Sequence, residues 1–94
     1  MTANELTLNI AVNLGRLSRW AMEGKQARIV QFLNETEEFL IQLEKAPKSE
    51  RFLPTFDFFK KEFYRLRNNI QLNSDWAEDM LTWANILTHR AKLT

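Results

Sequence analysis

The chain of 94 residues has no cysteine, one histidine, two glycines and two prolines. Without cysteine there is neither a disulfide staple nor a thiolate metal site, a composition that fits a reducing compartment. One histidine is too few for the usual zinc ligand sets. A di-iron bundle would need paired Glu-x-x-His units, and the residue three before His89 is Ile86. Two glycines cannot build a loop that cradles phosphates. Nor does either sign of charge dominate: thirteen Lys and Arg face twelve Asp and Glu, so no global field draws the chain to nucleic acid or to an anionic membrane. No apolar run approaches the 18 or so residues that a membrane span requires. The start "MTANELTLNI" lacks the basic region of a secretory signal. An amphipathic presequence over residues 1–22, carrying Arg16 and Arg19, is a lesser alternative that Glu5 opposes. These absences lead to the expectation of a soluble, cytoplasmic domain spanning 1–94, with no cofactor and no metal.

What is abundant is aromatic. Seven Phe, three Trp and one Tyr each bury roughly 150 to 250 Å² when enclosed, which makes a core plausible in a short chain. The few breakers divide the sequence into four stretches of helical length. Helices are expected at 4–22, 25–45, 54–71 and 75–91. Gly24 separates the first two, Pro47 stops the second, and "PKSERFLP" (47–54) reads as an extended linker. In the last break, "QLNSDW", Asn73 or Ser74 is the expected helix cap, with Asp75, Glu78 and Asp79 in the first turn, where the helix dipole favours acids.

The inner faces follow from spacings of three and four. They are Leu6, Ile10, Leu14, Leu17, Trp20 and Ala21; then Ile29, Phe32, Leu33, Thr36, Phe39, Leu40 and Leu43. Next come Phe52, Phe56, Phe59, Phe63, Leu66 and Ile70; finally Trp76, Met80, Trp83, Ala84, Leu87 and Ala91. The first segment competes with a strand, because "LTLNIAVNL" alternates apolar and polar residues. A strand would need a partner for its backbone groups, and no other segment supplies one. The expected fold is all-α, a single-domain antiparallel four-helix bundle in up-down-up-down order. Its rival is a three-helix domain with one helix projecting to a second copy.

No catalytic constellation emerges. Ser18, Ser49 and Ser74 lack a nucleophile-elbow context. Glu35, Glu37 and Glu38 lie off the core face and read as a solvated helix surface. His89 reads as a surface residue near the end of the last helix. Lys60, Lys61, Arg65 and Arg67, interleaved with aromatics, are a candidate basic patch for nucleic acid. The cations scatter around the helix, however, and fit the acidic second helix better as pairing partners. Asn13 falls near the core, where it either fixes register or joins Trp20, Tyr64, Trp76 and Trp83 around a ligand cavity. Gly15, in mid-helix, points to a neighbouring helix or a partner that approaches closely.

Leu8, Val12, Val30, Ile41, Phe58 and Ile86 fall off the inner faces. Leu8 and Val12 are adjacent on the helix surface, and together with Val30, Ile41 and Phe58 they are the candidate interface. The function expected from the sequence is therefore a non-enzymatic protein interaction or accessory module, with self-association to a homodimer among its forms. A ligand-binding bundle and a weak nucleic-acid binder through the basic third helix are the alternatives.

Overall fold

The computed structural model describes residues 1–94 as four helices: α1 (Ala3–Glu23), α2 (Gln26–Lys45), α3 (Leu53–Arg67) and α4 (Ser74–Arg90). The last runs into a 3-10 turn, Ala91–Leu93. There is no strand, so the alternating opening stretch is helical. The helices form an antiparallel bundle in which α1 lies beside both α2 and α4, while α3 closes the ring between α2 and α4.

Each helix end has a local cause. Thr2 and Glu5 form a capping box: the Glu5 N–H donates to Thr2 Oγ1 (3.1 Å), and the Thr2 N–H donates to Glu5 Oε1 (3.2 Å). At the far end Gly24 takes the left-handed conformation (φ 70°), which lets the Lys25 N–H reach back to the Trp20 carbonyl (3.0 Å). α2 stops before Pro47, and the Lys48 ammonium donates to the carbonyls of Leu43, Glu44 and Ala46 at 2.7 to 2.9 Å. The linker that follows is not extended throughout. Turn bonds from Phe52 N–H to Ser49 O and from Leu53 N–H to Glu50 O fold it into the start of α3. Asn73 caps α4, accepting from the Trp76 N–H at 2.9 Å.

α3 ends at Arg67, four residues short of the expected 71. Its Leu66 carbonyl receives the Trp76 indole N–H at 3.0 Å and the Asn69 N–H at 3.3 Å. These bonds fold the chain toward α4, and Asn68 and Asn69 favour such turns over helix. Ile70 and Phe52 thus flank the helix instead of belonging to it. Phe52 is nevertheless fully buried, and Ile70 packs partly against the core.

The core is one contiguous cluster, and every inner-face residue of α1 and α4 expected from the sequence is buried. Its two sides differ in side-chain size. Ala3, Thr7, Ala11 and Ser18 on α1, with Ala77 and Ala84 on α4 and Ala91 in the turn after it, are all buried, and the two backbones approach closely along their length. α3 instead presents Phe56, Phe59 and Phe63 and stands further from its neighbours.

Gly15 has no close neighbour: a Cβ added there would meet nothing within 4 Å. The expectation of a neighbouring helix crossing at Gly15 is overturned, because the close α1–α4 approach runs along the alanine side of α1. Gly24, by contrast, is required by its backbone. Replacing Gly24 with Ala should lower stability by about 1 kcal/mol, read as a lower urea midpoint at unchanged m-value.

Candidate docking surfaces

The candidate ligand residues do not share a cavity. Asn13 is buried between α1 and α2, where its Nδ2 donates to Thr36 Oγ1 (3.3 Å) and, at 3.5 Å, to Glu35 Oε2. That role is register between two helices. Trp20 packs edge-on against Phe32, Trp76 is held by the Leu66 carbonyl, Tyr64 faces the α2–α3 groove, and Trp83 faces the α3–α4 groove. The recesses lie on outer grooves of the bundle, because apolar side chains fill its centre.

The candidate basic patch is largely spent on internal pairing. Lys60 bonds Glu44, Arg67 reaches Glu37 at 3.2 Å and Asn34 at 2.8 Å, and Arg65 bridges Glu62 (3.0 Å) and Asp79 (3.4 Å). Lys61 alone of the four makes no ion pair. The acidic α2 and basic α3 do meet, at Glu44–Lys60 and Glu37–Arg67. Arg67 also holds its Nε–H buried with no acceptor, a cost of about 1–3 kcal/mol that offsets the roughly 0 to 1 kcal/mol an exposed pair contributes. These pairs select a register more than they stabilise the fold.

Charge and burial shift a few protons. The Arg65 guanidinium, hydrogen-bonded to Glu62, holds that carboxyl below the usual range. The hydrogen bonds of Thr2 do the same for Glu5. Burial, followed by the Glu37 carboxylate beside it, raises the Tyr64 hydroxyl. No three His, Asp or Glu side chains gather in a way that could hold a metal ion. His89 is exposed in the last turn of α4.

The five candidate interface residues fall on three different surfaces. Leu8 and Val12 lie on the outer side of α1, exposed at 38% and 53%. Val30 and Ile41 occur three turns apart on α2 and line separate shallow recesses of about 190 Å³ each along the α2–α3 groove. Phe58 sits over the α3–α4 groove against Trp83, ring centroids 5.6 Å apart. Ile86, also off the inner face in sequence, is half-buried beside it.

Met22 is among the exposed apolar residues that helical phase left unnamed. It is 63% exposed and falls fourteen residues after Leu8, so Leu8, Val12, Gly15, Arg19 and Met22 form a stripe with spacings of four, three, four and three. That heptad spacing, which marks a helix seam able to face another helix, was present in the sequence.

Because the Glu62 carboxyl is lowered in the fold, its pairing contributes in full above the unfolded value near 4.5, and the contribution fades as pH falls below it. Glu62→Gln should therefore lose less stability than the parent between pH 6 and pH 3. The difference, under about 1 kcal/mol for so exposed a pair, is read from urea midpoints at the two pH values. No family model, curated protein or solved structure matches this chain, which leaves its own surfaces as the ground for a functional reading.

Proposed function

We propose that this protein is a non-enzymatic helical interaction module whose outer α1 face docks on a second copy of itself. The observation that carries the reading is the α1 stripe, where exposed Leu8, Val12 and Met22 flank a mid-helix glycine with open space above it. Glycine in a helix interior costs about 0.5–1 kcal/mol relative to Ala, and nothing within the chain makes use of its small size. A helix from outside the chain would.

Charge selects the orientation. In an antiparallel pairing of two α1 helices, Val12 of each copy meets Gly15 of the other, and Leu8 lies along the aliphatic stem of Arg19. Glu5 then sits within one turn of Arg19 of the other copy. A parallel pairing would stack Glu5 on Glu5 and Arg19 on Arg19, which like-charge repulsion disfavours. Neither group is committed elsewhere to an ion pair: Glu5 uses Oε1 for its Thr2 bonds, and Arg19 lies near the Trp20 ring with no carboxylate partner. The absence of a helix long and apolar enough to cross a membrane, together with a cysteine-free composition, supports a cytoplasmic setting for this reading.

Light scattering across a range of protein concentrations should give a molar mass that rises to twice that of the 11.2 kDa chain. Leu8→Asp with Val12→Asp should hold it at one chain without loss of helical circular dichroism. Arg19→Glu should weaken association, and weaken it most at low salt. Gly15→Ala should raise the stability of the isolated chain by about 0.5–1 kcal/mol while reducing association. A parent protein that stays monomeric at every concentration, or a double variant that still pairs, would overturn the reading.

A further inference from the structure

The groove between α3 and α4 is a second surface, carried by observations independent of α1. Phe58 is 62% exposed, so a large ring is held in water beside the nearly buried Trp83. Pro54 and Ile86 complete an apolar recess of about 240 Å³. Arg90 closes one edge, where its Nη1 donates to the buried Thr55 hydroxyl at 2.8 Å. No carboxylate lies within ion-pair distance of Arg90. On α3, by contrast, Lys60, Arg65 and Arg67 are matched to acids. The recess thus combines apolar walls with one cation, Arg90, that has no acidic partner.

Size decides the class of occupant. Small-molecule sites enclose most of their ligand in roughly 300 to 1,000 Å³. This recess is smaller and open along one side, matching one large side chain presented on a backbone. We infer that the α3–α4 groove binds an acidic segment of another protein, inserting an aromatic or branched aliphatic side chain between Phe58, Trp83 and Ile86. A flanking carboxylate of that segment pairs with Arg90, which Thr55 holds in place. No residue of α1 lines the groove, so self-association through the outer face of α1 leaves its lining residues outside the paired helices, and each copy in a pair presents one.

The test uses the full chain labelled with ¹⁵N and the blocked peptide acetyl-Glu-Glu-Leu-Phe-Glu-Glu-amide, followed at the Trp83 indole N–H resonance. Its neutral counterpart has Gln in place of every Glu. The acidic peptide should shift the Trp83 signal with an affinity about tenfold above that of the neutral one, a margin that shrinks with added salt. Arg90→Gln should bring the acidic peptide down to the level of the neutral one. Phe58→Ala, a change at an exposed position that leaves the core intact, should abolish the shift with both. The inference is overturned if millimolar acidic peptide leaves Trp83 unmoved, if the two peptides bind alike, or if either variant binds as the parent does. A hexamer of Glu alone binding as well would reduce the effect to charge screening. A stronger response to 3-phenylpropionate would assign the groove to a small organic acid. Repeating the titration with the Leu8→Asp, Val12→Asp variant separates this site from self-association, because the peptide response should persist in a chain that cannot pair.

Discussion

The constraint on which the rest of the structure depends is the unequal thickness of the core. Small side chains along one flank of α1 and the facing side of α4 let those two backbones close together. The phenylalanines of α3 cannot be accommodated at that separation, so α3 stands off and leaves shallow grooves on both of its sides. Helix packing distance is set by the side chains at the contact. The grooves are thus a direct result of where alanine and phenylalanine fall in the sequence. They occur at the outer margins of a filled bundle, which is why polar and aromatic residues that looked like cavity linings are spread over separate helix pairs.

Much of this was legible beforehand, and the reason is periodicity. The inner faces of all four helices follow spacings of three and four, and nearly every residue at such a position is buried, with Phe32, Phe39 and Ile70 only partly so. The end of α3 was not legible, since it depends on the Trp76 indole reaching the Leu66 carbonyl across a turn, a contact between residues of different helices. Helix periodicity continued through Ile70 although the helix itself did not. The capping box of Thr2 and Glu5 was in plain view as a Thr-x-x-Glu spacing. The Lys48 cap on the end of α2 has no comparable signature.

The surfaces divide along the same line. Single exposed residues such as Leu8, Val12 and Phe58 could be named from helical phase, but grouping them required knowing which helices are neighbours. Val30 and Ile41 share one side of α2 yet face different recesses. Charges followed a similar rule. That α2 and α3 would pair acid with base was readable from their compositions, whereas the engagement of Arg65 with Asp79 on α4 and the isolation of Arg90 from any acid emerged only with the fold.

The side chain of Asn4 donates to the carbonyl of Ala91 at 3.0 Å, 87 residues away, and marks the end of the tightest interface in the bundle. Loop closure of that length is entropically slow to achieve, so local hairpins such as α1–α2 are set to form before α4 can dock. During synthesis, α1 emerges early and waits for nearly the whole of the remaining chain before the face carrying Ala3, Thr7 and Ala11 is covered. Those positions hold two alanines and a threonine whose hydroxyl already bonds the Ala3 carbonyl within its own helix. The flank that waits for α4 thus carries only small side chains at these positions, which limits misassociation of the nascent chain.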